Sequence, residues 1–460
     1  MRNNRFKMRA LSFALVLLAL SLGVVFAPRA FVAALAQQTG SVSVQTMSAP
    51  QGTYVIRGAR IVTVSGADIE NGTLVIRGGR IEALGASGVA VPAGAEEIDG
   101  RGLSVYPGMM DAGTNMGLAE ISSVSATVDT TEVGELNPNA QAIYAINPHS
   151  AHVDVTRVAG VTSVVSMPQG GVISGQAAVI NLNGTTPREM ALIPTAALVV
   201  TFPRVVAAPA FAPAQQQAGA TDAGVARDRQ VEQLRRMLRD AEAYGRAQDA
   251  YARDPRSVPR PDIDTVLASL VPYVRGERPV IFRADRERDI RAAVRFADEM
   301  KLKPIILGGS DAWKTTALLK ERNVPVIIDS MWNLPLREDD YYDTLYENAS
   351  KLQQAGVRFC ISTGDTGAHV RDLPYQAGMA AAFGLPRAEA LKAITLYPAQ
   401  IMGVADRIGS VEAGKIANLV VTDGDLLEPR TQVRHLFIDG RLIPLVSRHT
   451  QLYEQFRNRK

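Results

Sequence analysis

Tyr106-Pro-Gly-Met-Met-Asp-Ala-Gly-Thr-Asn-Met-Gly117 marks the point where the chain changes character. A short apolar run enters it, Pro107-Gly108 punctuate it, and the acid Asp111 follows two methionines. Upstream lie short β runs at 54–57, 60–64, 72–76, 80–84, 97–99 and 103–106, with turn residues between them. Asn71-Gly72 and Gly78-Gly79 are hairpin dipeptides. Strands this short predict half of a small β-sandwich over 52–106.

Downstream the pattern alternates strand and helix, the mark of βα units and a parallel sheet. Strands are expected at 279–284, 304–307, 324–329 and 358–363, and helices at 286–301, 312–322, 340–354 and 373–383. Four successive βα units fit the second half of a (β/α)8 TIM-like barrel, expected over 107–405. The first half is less legible. Residues 161–167 and 178–182 read as strands joined by a Gly-rich turn at 169–175. The Ala/Pro/Gln tract 205–224 reads as a mobile insertion, and 227–253 as a charged surface helix. From 406 the β signals return, at 409–411, 417–422, 433–438 and 441–446, with Asp439-Gly440 as a hairpin turn. The expected fold class is α/β, a barrel inserted between two halves of a small β-sandwich.

The start of the chain reads as a signal peptide over 1–36: a basic opening (Arg2, Arg5, Lys7, Arg9), an apolar run, and Ala34-Leu-Ala36 before Gln37. Residues 37–51 read as a flexible leader. Export to a bacterial periplasm is the expectation. The whole chain has 49 Lys+Arg and 46 Asp+Glu, and five of those cations belong to the expected signal peptide, so the remainder is slightly acidic. That excludes an argument for nucleic acid or an anionic membrane as partner. The one cysteine, Cys360, cannot form an intrachain disulfide and sits in an apolar run, as a buried inert thiol would.

Three stretches resemble the amidohydrolase superfamily, near its imidazolonepropionase-like branch. The first runs from Gly79-Arg-Ile81 through Ile98-Asp-Gly100 to Pro107-Gly108 and Asp111. The second holds Thr363-Gly-Asp365. The third joins Ala390-Leu-Lys-Ala-Ile-Thr395, Pro398-Ala399 and Met402-Gly403 to Asp406-Arg-Ile-Gly-Ser-Val-Glu-Ala-Gly-Lys415 and Ala417-Asn-Leu-Val-Val421. The resemblance covers roughly residue 54 to the end. It implies a metal-dependent hydrolase barrel whose site lies at the C-terminal ends of the strands. In that family the first strand reads Pro-Gly-x-x-Asp-x-His-x-His, and a divalent metal, zinc or another, activates water. Here the two histidine positions are Gly113 and Asn115. The strand-five position falls at Arg283 and the strand-six position near Gly308 or Gly309. Asp365 stands as the one retained ligand, and no metal site is assigned. Arg283 places a fixed positive charge where the cation would sit, and pairing with Asp365 would let it stand in for the metal's charge.

The remaining candidates follow from position. Asp365 and His369, on the loop leaving strand eight, are the expected catalytic pair. Arg283, Asn115 and Gly113 are expected to meet substrate. Asp111 is expected to orient backbone. His149 and His152, at i, i+3 spacing, would share a helix face. Glu120, Asp129, Glu132 and Glu135 follow strand one in a loop near the mouth. No nucleophile elbow, Walker loop or dinucleotide fingerprint is present. The resemblance therefore implies an exported hydrolase of non-peptide C–N bonds, amide or cyclic amide. The alternatives are a non-catalytic barrel that partners an active relative, or a small-anion-binding protein. A small-molecule substrate or anion, and self-association or association with a related amidohydrolase, are the expected partners.

Overall fold

The computed structural model describes residues 51–204, 214–364, 366–457 and 459, without the side chains of 214–223. The segment expected as a signal peptide, nearly all of the one expected as a leader, the start of the Ala/Pro/Gln tract and Asp365 lie outside these residues. Among the described residues no helix is long and apolar enough to cross a membrane.

Five strands open the described chain: β1 (Tyr54–Ile61), β2 (Ile69–Arg77), β3 (Arg80–Gly85), β4 (Glu96–Asp99) and β5 (Ser104–Pro107). Eight barrel strands follow: β6 (Met109–Thr114), β7 (Val161–Ser166), β8 (Ile173–Asn181), β9 (Ala191–Thr201), β10 (Pro279–Ala284), β11 (Lys303–Gly308), β12 (Val326–Ile328) and β13 (Phe359–Ile361). After the barrel come β14 (Leu419–Thr422), β15 (Val433–Ile438) and β16 (Arg441–Leu442), followed by the helix Arg448–Phe456. Residues 409–411, expected as a strand, are loop instead.

The terminal strands share one sheet with the first five, in the order β16-β15-β14-β5-β1-β2-β3, with β4 beside β1. The sheet curls over on itself as a sandwich does. The Tyr54 and Phe437 rings meet at 5.2 Å. The β2–β3 turn meets the β15–β16 turn, where Ala417 N–H donates to Gly79 O at 2.9 Å and Gly440 N–H to Ala417 O at 3.1 Å. Asn418 ties this sheet to the barrel. Its buried amide donates to Asn181 Oδ1 at 2.8 Å, and its Oδ1 accepts the Asp439 N–H at 2.8 Å.

The barrel ladder runs β6-β7-β8-β9-β10-β11-β12-β13. From β9 to β13 every pairing is parallel, as the βα alternation predicts. The first half departs from an all-parallel barrel, because β8 runs antiparallel to both β7 and β9. The reason lies in the connections. Only residues 167–172 separate β7 from β8, too few for a crossover helix, so the chain turns straight back. Gly170 (φ 81°) and Gly171 (φ 63°) take the left-handed backbone that this reversal needs.

Alternate strand residues sort into two cores. Met110, Ala112, Val165, Val199, Ile281, Ile305, Leu307, Ile327 and Cys360 pack inside the barrel, and their neighbours face the helices. Cys360 is fully buried, and desolvation pushes its thiol well above the ordinary range, so it is inert as expected. Two helical expectations need correction. The helix Ala214–Arg253 takes in part of the tract expected to be mobile. It also buries Val231, Leu234, Leu238 and Ala241 at three- and four-residue intervals, an apolar stripe hidden in the sequence by dense charge on the other faces. His149 precedes the N-cap Ser150 of the helix Ala151–Val158, so it does not share a helix face with His152.

Candidate active site

The ladder path ends at β6 and β13, and side chains bridge the gap. Asp111 is fully buried. Its Oδ1 accepts the Gly113 N–H at 2.9 Å, and its Oδ2 accepts the Thr363 N–H at 3.1 Å and the Thr363 hydroxyl. Desolvation outweighs these donors and pushes its carboxyl up to about 6. Asp111 thus orients backbone, as its place after Pro107-Gly108 suggests, and it does so across strands one and eight.

Gly113 offers no side-chain donor to a ligand, and a side chain there would have to displace its neighbours. A Cβ at this position would stand 2.8 Å from Ser362 Oγ and 3.1 Å from Leu307 Cδ1. Asn115 is almost fully buried and accepts the Gly367 N–H at 2.8 Å, so its amide holds the loop after strand eight. Gly308 ends β11, and its missing Cβ would sit 2.7 Å from Asp285 Oδ1. The neighbouring Gly309 would point its Cβ at Val326 Cγ1, 2.8 Å away and outside the barrel. Arg283 shares strand parity with Ile281, an interior residue, and pairs in register with Thr201 and Leu307. Its side chain therefore leaves the inner face of β10, at the mouth end of the barrel.

Two acids at the strand ends were missed from sequence. Asp285 directly follows β10 and accepts from Ser310 Oγ at 2.8 Å. Asp329 directly follows β12, accepts the Ser330 N–H at 2.8 Å, and lies 2.6 Å from the position of a Cβ on Gly364. Its own N–H donates to Gly308 O at 3.2 Å, so the ends of β11 and β12 are laced together. Both acids are half-buried. The available signal was an acid immediately past the last apolar residue of an expected barrel strand.

The other expected residues divide. Asp365 lies outside the described residues, and with it the pairing proposed for Arg283. His369 sits in the 3-10 turn Gly367–Asp372 on the functional face, with its side chain exposed. His152 places Nε2 3.0 Å from Glu120 O, and Glu120 accepts from Asn147 Nδ2 at 3.2 Å. Those residues brace the loop after strand one. Glu132 and Glu135 are exposed on that loop, and Asp129 shares it.

A catalytic metal does not fit the donors seen here. Among the described residues no group of three His, Cys, Asp or Glu could hold a metal ion. Gly113 is closed by Ser362 and Leu307, and Arg283 would repel a cation. What the mouth does hold is a guanidinium, two half-buried carboxylates and several hydroxyls. A carboxylate can take a proton from water, and a guanidinium can stabilise a developing oxyanion.

Residues 289–443 match the amidohydrolase family model. Among curated proteins, the chain is 46% identical to an N-acetylglucosamine-6-phosphate deacetylase of Haemophilus influenzae over 57 residues, 12% of this chain and 14% of that one. It is 24% identical over 373 residues to the amidohydrolase tasK of Hapsidospora irregularis, 76% of this chain and 37% of that one. The matches thus span well under half of either relative. Among solved structures, an amidohydrolase from Thermotoga maritima superposes with a TM-score of 0.74 at 23% identity, over 85% of this chain and 99% of that one. Molinate hydrolase superposes with a TM-score of 0.54 at 16% identity, over 86% and 95% of the two chains. At such identities these two likenesses establish fold. Residues 289–443 thus resemble the amidohydrolase family, and the barrel has the fold of the amidohydrolases it superposes on.

Proposed function

We propose that this protein is a hydrolase of non-peptide C–N bonds, amide or cyclic amide, working at the C-terminal mouth of the barrel. The observation that carries the reading is the amidohydrolase family match over 289–443 on this barrel. The mouth geometry supports a reaction without a bound metal, with most of the family's ligands replaced. Asp329 or Asp285 takes a proton from the attacking water, whose oxygen bonds to the carbonyl carbon while Arg283 stabilises the oxyanion; as the oxyanion collapses and the C–N bond breaks, the same acid returns that proton to the leaving nitrogen. His369 adds an imidazole from the turn Gly367–Asp372 after strand eight. The basic and apolar opening over 1–36 supports export, and N-terminal sequencing of the protein recovered from a periplasmic fraction tests it, with Gln37 expected as the first residue.

The activity test is a panel of amides and cyclic amides, assayed with and without a chelator, with metal content measured by plasma mass spectrometry. Turnover that survives chelation is expected. Arg283→Met should lower kcat/KM by about 100-fold, the cost typical of losing an oxyanion donor. Activity that follows bound metal, or an unchanged Arg283→Met, would sink the metal-free reading. Absence of turnover across the panel would sink the hydrolase reading itself.

A further inference from the structure

At the opposite end of the barrel, the connections into β10, β11, β12 and β13 each deliver a cation. Arg278 immediately precedes β10, Lys303 opens β11, Arg322 enters the approach to β12, and Arg358 immediately precedes β13. All four line one cavity of about 600 Å³, against a single lining carboxylate, Glu277. Strand pairing keeps them level, since Lys303 lies opposite Pro279 and Phe359 opposite Val326. Four adjacent strands span roughly 14 Å at the usual spacing of about 4.8 Å.

Cations at this face commonly complement helix C-termini. That accounts for Arg322, the C-cap of the helix Thr316–Glu321, which also pairs with Asp298 and Glu321. The other three follow helix ends too, but none is neutralised by a carboxylate. Arg278 bonds the Thr195 hydroxyl, and Arg358 donates to Asn323 Oδ1 at 2.9 Å. Lys303 has no hydrogen-bond or ion-pair partner among the described residues. None of the three has a carboxylate partner there, although Glu277 stands nearby and faces Arg275 instead. Like charges gathered in one concavity repel one another, and an anion removes that cost.

We propose that this cavity binds a small multivalent oxyanion of the phosphate type. The site is independent of the chemistry at the mouth. Its breadth suits a chain of two or three phosphoryl groups, whose oxygens meet guanidinium forks and an ammonium at several points.

Calorimetric titration of the whole protein with inorganic tripolyphosphate at low salt tests this. Saturable binding that weakens with salt is expected, with Kd raised about tenfold or more in the double variant Lys303→Ala/Arg358→Ala. Both side chains are exposed, so the variant should fold. Arg256→Ala, an exposed cation away from the cavity, should bind as wild type does. A nucleoside triphosphate arm identifies the source: tighter binding marks a nucleotide, and equal binding marks the phosphate chain alone. The proposal is overturned by no saturable binding, by equal affinity in the double variant, or by loss of binding in Arg283→Met, which would place the anion at the mouth.

Discussion

Asp111→Ala removes the carboxylate that joins the two ends of the barrel ladder. Two buried N–H groups, on Gly113 and Thr363, lose their acceptor, as does the Thr363 hydroxyl. At about 1–2 kcal/mol for each orphaned donor, the loss is about 4 kcal/mol when the acid is neutral. Charge changes that figure. Burial pushes the folded carboxyl up to about 6, against about 3.9 in an unfolded chain. A raised carboxyl pKa means that the folded state prefers the protonated form. The native contribution is therefore complete below the unfolded value and declines as pH rises through the folded one. Between about pH 4.5 and about pH 7.5 the wild type gives up roughly 2 kcal/mol that alanine cannot lose. The variant should thus be less stable than wild type by about 3 kcal/mol at about pH 4.5, where roughly 1 kcal/mol has already been given up, and by about 1 kcal/mol at about pH 7.5. Urea unfolding at both pH values, followed through Trp313 and Trp332, measures this. A loss under about 1 kcal/mol in acid, or one that does not change with pH, would refute the view that a buried, anomalously titrating carboxylate closes the barrel.

Three further outcomes follow from the packing. Gly440→Ala should cost about 3 kcal/mol or more, because φ is +67° and a Cβ would stand 2.5 Å from Gly79 Cα; a near-neutral melting shift would deny that the two turns meet. Arg337→Ala should cost about 2 kcal/mol and speed proteolysis within 330–343, because Arg337 pins that loop to the buried Asp311 at 2.5 and 3.1 Å. Burial raises the Asp311 carboxyl, but hydrogen bonds from Arg337 and Lys314 prevail and hold it below its ordinary value. The clamp's contribution is therefore present above the unfolded carboxyl value and should fade as pH falls through the folded one, a trend that protease resistance would also report. Leu234→Ala should cost about 3 kcal/mol by opening a cavity beneath the long helix; a loss under about 1 kcal/mol would mean that the helix is merely a surface appendage.

Much of the architecture was legible in sequence because period and punctuation are local. Strand β10 occupies 279–284 as expected, and β11 and the helix Glu287–Glu299 lie within a residue or two of their expected bounds. Each carries an apolar pattern bounded by Pro, Gly or an acid. Strand β9 and the direction of β8 were not legible, since direction depends on what a strand pairs with; the expected strand at 178–182 falls largely within β8. The stripe Val231, Leu234, Leu238 and Ala241 was masked by surrounding arginines, whose charge serves solvent and Glu299. The site divided the same way. Sequence placed Gly113, Asn115 and Arg283 at the strand ends. It did not show that Gly113 is closed by Ser362 and Leu307, or that Asp285 fills the space left by Gly308.

By itself, then, the sequence determined the barrel with its flanking β segments, the absence of histidines from the first strand, and the burial of Cys360. Those depend on residue type and on spacing along the chain. The tertiary structure alone decided the antiparallel β8, the carboxylate that bridges β6 to β13, and the ring of cations beneath the barrel. Each joins residues from separate βα units, and distance in sequence carries no record of which side chains meet once the barrel has curled shut.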